Sequence, residues 1–329
     1  MTCSSQSATS VAARTRFPRQ ARRLPVKRTL TALAMLGTLA AAGCSSASGS
    51  TGDTLRFAAV PVEQNIDPTA EYKDIIALIE KNTGMKVEFV RSTDYNAVIE
   101  GMVSGKIDLA EFGPLSYVLA KSNGAKIIPI ASMVEKGGQP TYQSFGVVPA
   151  NSEITGIDGF KGAKVCFVDP GSTSGYLFPS QGLMGAGIDP KTGIDAVMAG
   201  GHDNSVLSVA AGKCEAGFAE NAMVEHILID KGKLRPGQVK VVWKSAPIPM
   251  SPVAMRDELP ADLKAKLTRT FTQDATKDRL VQLGICKDAA SCRVTADPSI
   301  WGFQPVTDAT FNPVRQVCAA TRNEKCSKA

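Results

Sequence analysis

The stretch with the most distinctive chemistry is a loop of small and hydroxylated residues, Asp169-Pro170-Gly171-Ser172-Thr173-Ser174-Gly175. Small residues let the backbone approach a ligand closely, and a helix that starts after the loop points its free N–H groups at it. With three hydroxyl donors added, the loop suits a tetrahedral oxyanion without any formal positive charge. A Ser or Thr that only caps the helix would explain part of the same pattern.

Two enzyme motifs that resemble this loop fail on residue type. A Walker A loop ends in Gly-Lys-Ser/Thr, whereas Tyr176 follows Ser174-Gly175 here. A nucleophile elbow has serine at its centre, but Thr173 takes the central place between Gly171 and Gly175. The remaining enzyme alternative is a hydrolase that uses a hydroxyl of this loop together with His202.

A few other side chains could contribute to a binding site. His202 begins a predicted helix after two glycines, where it could donate to an oxyanion or only cap the helix. Tyr95, Tyr117 and Tyr142 stand near strand–helix junctions, where clefts form, although each could equally be a packing residue. The only other histidine is His226, and no C-x-x-C pair is present, so we expect no metal site and no cofactor.

Residues 1–43 have the features of an export signal. They contain seven Lys and Arg and no acid. Their apolar stretch, Leu30 to Ala42, is shorter than the roughly 20 residues of a membrane-spanning helix. LAAAGC, which ends at Cys44, resembles the lipobox of bacterial lipoproteins, although Ala41 stands where leucine is usual. We therefore expect a lipid anchor on Cys44. An ordinary signal cleavage nearby and a twin-arginine signal are the alternatives.

The charge of the chain changes once this signal is removed. The full sequence carries a formal net charge of +6, from 37 Lys and Arg against 31 Asp and Glu. Without the seven basic residues of the signal, 30 Lys and Arg balance 31 Asp and Glu, and the mature chain is close to neutral. This balance argues against a nucleic-acid partner. Residues 44–52 are rich in Ser and Gly and predict a flexible linker between the anchor and the folded body.

Six cysteines remain in the body of the chain, and an even number in an exported protein predicts disulfides. Six cysteines can form three disulfides in 15 different ways. The shortest separations along the sequence favour two of the pairs, and the two remaining cysteines form the third. These pairs are Cys286–Cys292, Cys318–Cys326 and Cys166–Cys214.

From Leu55 onward, short apolar runs alternate with amphipathic stretches. This alternation predicts an α/β fold with mainly parallel sheets. The pattern repeats after residue 150, is interrupted by Pro247, Pro249 and Pro252, and then returns to helices. Two α/β units followed by such a return predict a bilobed chain that crosses between its lobes twice.

Several long segments resemble one known family, the substrate-binding proteins of phosphate, phosphite and phosphonate ABC importers, of the phosphonate-binding type. The resemblance runs from about Leu55 to Cys318, and its most specific feature is STSG, then an apolar helix, then GGH. The matching segments are TDYNAVIEGMVSGKIDLAEFGPLSYVLA, PTYQSFGVV, VDPGSTSGYLFP, GGHDNSVLSVAAGKCEAGFA, VVWKSAPIPMSPVAMR and WGFQPVTDATFNPVRQVC.

The resemblance implies a bilobed periplasmic-binding-protein fold of type II with a hinge. One lobe would combine residues 53–147 with 250–329, and the other would be 148–249. It also implies a monomeric, non-catalytic receptor outside the cytoplasmic membrane, which delivers its ligand to a permease that works with an ATPase. The pocket residues that it implies are Tyr95, Tyr142, Ser172, Thr173, Ser174 and His202.

Departures from the family pattern bear on the ligand. Family members that bind aminophosphonates use carboxylates for the amine, and the matching positions here are Ala222 and Ser251. Glu111 stands where tryptophan is common, and Glu220 is close in sequence to Ala222. Either glutamate could supply an anionic contact in a shifted arrangement. We therefore expect a small phosphorus oxyanion without an amine: phosphite, methylphosphonate or phosphate. The alternatives are another anion such as a sulfonate, the hydrolase, and a surface lipoprotein with only a structural role.

Overall fold

The computed structural model describes residues 54–64, 66–323 and 326. The export signal, Cys44 and the linker 44–52 lie outside the described residues. No helix within the described ranges has the length and apolar character needed to cross a bilayer.

The described part of the chain alternates strands and helices, as the sequence predicts. The strands are β1 (Thr54–Ala59), β2 (Lys86–Phe89), β3 (Leu109–Glu111), β4 (Ile127–Glu135), β5 (Thr141–Tyr142), β6 (Ser144–Pro149), β7 (Lys164–Phe167), β8 (Asp195–Met198), β9 (Ala216–Glu220), β10 (Val239–Lys244), β11 (Ile248–Pro249), β12 (Pro252–Arg256) and β13 (Ile300–Pro305). The α-helices are α1 (Pro68–Glu71), α2 (Lys73–Thr83), α3 (Tyr95–Val103), α4 (Pro114–Ser122), α5 (Phe178–Gly185), α6 (His202–Ala210), α7 (Leu228–Asp230), α8 (Ala261–Arg269), α9 (Lys277–Gln282) and α10 (Asn312–Ala320). Shorter π and 3-10 turns are Ile157–Phe160, Thr173–Leu177, Met223–Ile227, Thr270–Asp274 and Asp308–Phe311.

Two sheets organise these elements and define two lobes. The first sheet has the strand order β13-β4-β12-β3-β1-β2, and the second has the order β10-β6-β9-β7-β8. We call the parts of the chain built on them the first lobe and the second lobe. The sheets are mixed: β1 pairs in parallel with β2 and β3, and β7 pairs in parallel with β8 and β9. The predicted two-lobed α/β fold is confirmed, with parallel cores.

Two of the antiparallel pairings in the first sheet come from the return of the chain between the lobes. After the second lobe, β12 enters the first sheet between β3 and β4 and runs antiparallel to both. The chain crosses between the lobes twice, and the two crossing segments run side by side as a small ribbon in which β5 pairs antiparallel with β11. That this ribbon acts as the expected hinge stays a prediction. The lobe ranges 53–147 with 250–329 and 148–249 stay a prediction.

Local sequence signals account for several helix ends. Asp94 caps α3, because its Oδ1 accepts from the Ala97 N–H at 2.8 Å. Gly84 ends α2 in the left-handed conformation with φ +76°, which glycine adopts without steric cost. Ile75 and Ile79 of α2 are fully buried against the first sheet, so the apolar face of this helix is its packing face.

The three predicted disulfides are present. They join Cys166 to Cys214, Cys286 to Cys292 and Cys318 to Cys326. The first one links β7 to the turn before β9, so it lies within the second lobe.

Candidate ligand-binding site

A cavity of about 60 Å³ lies between the two lobes. An enclosed water needs roughly 10–15 Å³ by this measure, so the cavity has room for a ligand of a few heavy atoms. All six residues named from the resemblance line it: Tyr95, Tyr142, Ser172, Thr173, Ser174 and His202. Ala222 and Ser251 line it too. The structure thus brings these residues together around one cavity.

Four helix starts converge on this cavity. Tyr95 is the first residue of α3, His202 the first of α6, and Thr173 the first of the π turn that leads into α5. Gly113 is the N-cap of α4. Each start contributes N–H groups without intrahelical acceptors and the positive end of a helix dipole. These helix starts therefore offer positive dipole ends to an anion, and none of the described residues that line the cavity is lysine or arginine.

The hydroxyl loop owes its shape to one glycine and one cap. A Cβ on Gly175 would come within 2.4 Å of the Val168 Cβ, so only glycine lets this turn pack on the end of β7. Ser172 Oγ accepts from the Gly175 N–H at 3.0 Å and caps the turn. The N–H groups of Thr173 and Ser174, in the first turn, remain available for a ligand.

Thr173 connects the lobes directly. Its Oγ1 accepts from the Leu115 N–H of α4 at 2.8 Å, across the cleft. Because the oxygen accepts this bond, its hydroxyl hydrogen is free to donate into the cavity. Thr173 is only 2% exposed. One side chain thus ties the lobes together and presents a donor to the ligand.

His202 is held in one tautomer. The Glu220 N–H donates to His202 Nδ1 at 2.9 Å, so in the neutral ring the proton is on Nε2. Nε2 lies 3.4 Å from both Ser172 Oγ and Tyr95 Oη. Burial lowers the pKa of His202 from 6.5 to about 3, which keeps the ring neutral. The ring is a donor and not a base, which removes the main support for the hydrolase alternative.

We expect nuclear magnetic resonance of the ring nitrogens to find His202 neutral and protonated on Nε2 down to about pH 4. The unfolded chain takes up this proton near pH 6.5 and the folded chain near pH 3, so acid in this window destabilises the fold. His226 provides the internal comparison, because its hydrogen bond to Asp297 raises its pKa. A His202 ring that titrates near pH 6.5 in the folded protein would contradict this account.

Two carboxyl groups face the same cavity. Glu111, at the end of β3, is 3% exposed, and its Oε1 accepts from Tyr72 Oη at 2.9 Å. Burial raises the pKa of Glu111 to about 8, against the opposing effect of the Tyr72 hydrogen bond. Glu220 is half-buried, and burial followed by the nearby charge of Asp297 raises its pKa to about 8. Both groups carry protons for a large part of the time at neutral pH.

Sequence reasoning missed some of the residues that line the cavity and left Tyr117 open between the cavity and the core. Tyr117 does not line the cavity; its side chain is buried and donates to Asp308 Oδ1 at 2.7 Å. Its ring packs on Phe311, so it stabilises the first lobe. Tyr72 and Asp297 line the cavity without any local motif that marks them. They reach it only through the packing of the first lobe.

Further contacts between the lobes close the cleft around the cavity. The His202 N–H donates to the Val62 carbonyl at 2.8 Å. Beside it, Lys231 Nζ lies 2.6 Å from Glu63 Oε1, whose side chain is fully buried. His226 Nε2 is 3.1 Å from Asp297 Oδ1. The described structure is therefore a closed arrangement of the two lobes.

Comparison with known proteins supplies independent evidence on the family of this chain. The family described as "ABC transporter, phosphonate, periplasmic substrate-binding protein" matches residues 57–311. The "Phosphate-import protein PhnD" of Mycolicibacterium smegmatis is 46% identical over 283 residues, which is 83% of this chain and 88% of that protein.

Solved structures agree at the level of the fold. A binding protein component of an ABC phosphonate transporter from Pseudomonas aeruginosa has a TM-score of 0.71 and 23% identity, covering 82% of this chain and 86% of that one. PhnD1 from Prochlorococcus marinus in complex with methylphosphonate has a TM-score of 0.68 and 19% identity, covering 82% and 99%. At these identities the solved structures support the fold alone.

Proposed function

Since this chain belongs to the family of periplasmic substrate-binding proteins of phosphonate ABC transporters, we propose that it captures a small phosphorus oxyanion between its lobes. It then delivers this oxyanion to the permease of an importer, whose ATPase drives transport. Members of this family are binding proteins and not enzymes, and they work outside the cytoplasmic membrane. The phosphorus oxyanion is phosphate, phosphite or a phosphonate.

The observation that carries the proposal is the set of neutral donors around one cavity. The hydroxyls of Ser172, Thr173 and Ser174, the Tyr95 hydroxyl and His202 Nε2 surround it. Such donors are fixed by helix starts and caps, so little reorganisation is needed when an anion binds. A tetrahedral oxyanion has enough oxygens to use all of them.

Closure and delivery follow from the two-lobed architecture. The β5–β11 ribbon acts as the hinge, and ligand contacts from both lobes favour the closed form. The closed form is the one that docks on the permease. A lipid on Cys44, followed by the Ser- and Gly-rich residues 44–52, holds the receptor near that permease; the LAAAGC segment supports this anchor. The receptor acts as a monomer.

A calorimetric panel tests this function. We expect one molecule of phosphate, phosphite or methylphosphonate to bind per chain and to raise the melting temperature through linkage. We expect weaker binding of aminoethylphosphonate, because Ala222 and Ser251 cannot pair with its amine. Binding of sulfate or a sulfonate alone would refute the phosphorus ligand, and no bound anion at all would favour a structural role. Turnover of a phosphoester would favour the hydrolase.

A further inference from the structure

The proposed anion cavity contains acids and no cation. Among the described residues that line it, none is lysine or arginine. The acids that line it are Glu111, Glu135, Glu220 and Asp297. A doubly charged anion beside ionised buried carboxylates would be strongly repelled, because the local dielectric is low. The buried acids must therefore hold protons when an anion binds, or receive them from the ligand.

Glu111 is the acid whose geometry is most informative. Tyr72 Oη donates to its Oε1, which fixes the orientation of the carboxyl group. Its Oε2 is buried and has no hydrogen-bond partner among the described residues. The residue lines the cavity from the first lobe, opposite the hydroxyl loop of the second. Buried polar oxygens are almost always paired, so an unpaired Oε2 on a residue that lines the cavity calls for a partner.

We propose that Glu111 Oε2 and one oxygen of the bound oxyanion share a single proton, which makes Glu111 a selector for inorganic phosphate. This rests on the proposed function, since it concerns the same ligand and cavity. When Glu111 is ionised, a P–OH group donates to Oε2. When Glu111 is protonated, Oε2–H donates to an ionised oxygen of the ligand. In both cases one proton lies between the two oxygens.

Ligands differ in whether they can supply this proton. Inorganic phosphate keeps an acidic proton from neutral to strongly alkaline solution. Sulfate has none, so it can bind only while Glu111 itself is protonated. The fully ionised forms of phosphite and methylphosphonate have the same limitation as sulfate. Selection against these anions therefore increases as Glu111 loses its proton.

The groups around Glu111 determine the pH at which it loses its proton. Tyr72 and Asp297 face it from the first lobe, and Glu220 faces it from the second. Asp297 is itself bonded to His226. Glu63 and His226 face Glu220, and Glu63 is paired with Lys231. Because Glu220 ionises in the same range, it repels phosphate and sulfate alike. The ratio of the two affinities therefore reports on Glu111.

The test measures the affinities for phosphate and for sulfate by calorimetry on the mature chain. With the pKa of Glu111 raised to about 8, the ratio, calculated for the phosphate dianion so that the ionisation of free phosphate cancels, should be nearly constant below that pH. Above it, the ratio should rise by up to about tenfold per pH unit in favour of phosphate. In Glu111→Gln the ratio should stay constant, because the amide presents a donor to the cavity at every pH.

Two further variants locate the proton. Glu220→Gln should retain the rise of the ratio, and so should Glu135→Gln, whose side chain is exposed at the rim. A constant ratio in the unmodified chain, an unchanged rise in Glu111→Gln, or loss of the rise only in Glu220→Gln would overturn the proposal. Tighter binding of aminoethylphosphonate than of phosphate, abolished in Glu111→Gln, would overturn it too. If no phosphorus oxyanion binds at any pH, the proposed function fails instead.

Discussion

Thr173→Val should weaken binding of the phosphorus oxyanion by about 10-fold to 100-fold, because a hydrogen bond to a charged ligand contributes about 1.5–3 kcal/mol. Valine keeps the shape of threonine but cannot donate to the ligand. It also removes the acceptor of the Leu115 N–H, which would leave that group unpaired in the closed cleft. Both losses act in the same direction, since both penalise the closed, ligand-bound form. Calorimetry with phosphate measures the change.

Two controls separate this effect from general damage to the fold. Thr173→Ser keeps the hydroxyl and should bind within a few-fold of the unmodified chain. Thr272→Val removes a hydroxyl that donates to the Thr268 carbonyl, away from the cavity, and should leave affinity unchanged. Equal affinity in Thr173→Val and Thr272→Val would show that the Thr173 hydroxyl does not bind the ligand.

Removal of the Cys166–Cys214 disulfide should lower the free energy of unfolding by about 4 kcal/mol, on the chain-entropy model. Its cysteines are 48 residues apart, so the crosslink restricts a long loop in the unfolded chain. The Cys286–Cys292 disulfide spans only 6 residues, and its removal should lower the same quantity by about 2 kcal/mol. The paired cysteine-to-alanine variants can be compared by urea denaturation of the mature chain.

The informative quantity is the difference in the free energy of unfolding between the two variants. Cys166 and Cys214 are both buried in the core of the second lobe, so their loss also removes packing there. If the variant without the Cys166–Cys214 disulfide is as stable as the variant without the Cys286–Cys292 disulfide, or more stable, the assignment of the first crosslink is contradicted. Ligand affinity measured below the unfolding transition should change little, because neither cysteine lines the cavity.

The sequence predicts much of this architecture because local signals mark its elements. The α/β alternation from Leu55, the Asp94 cap and the glycine after α2 are all read from neighbouring residues. The hydroxyl loop is also a local pattern, and the need for glycine at Gly175 comes from its close approach to Val168. The disulfide pairs follow from separation in the chain, which is a physical constraint on loop closure.

Other features depend on contacts between distant segments. Tyr72 lies 39 residues before Glu111, and only the packing of α2 on the first sheet brings their side chains together. The tautomer of His202 is determined by the backbone of Glu220, a donor that has no signature in the sequence. Whether Tyr117 faces the cavity or the core could not be read from the sequence, because a strand–helix junction does not specify which way a side chain points. The mixed order of the sheets likewise depends on where the chain returns.

The most direct test of the central claim, that a phosphorus oxyanion binds between the lobes through neutral donors, is a crystal structure of the mature chain with phosphate. We expect one phosphate in the cavity, with oxygens within hydrogen-bond distance of Thr173 Oγ1, His202 Nε2 and Glu111 Oε2. We expect no lysine or arginine of the chain in contact with it. Phosphate bound elsewhere on the molecule, or a cavity in which these three atoms do not contact the ligand, would contradict the account.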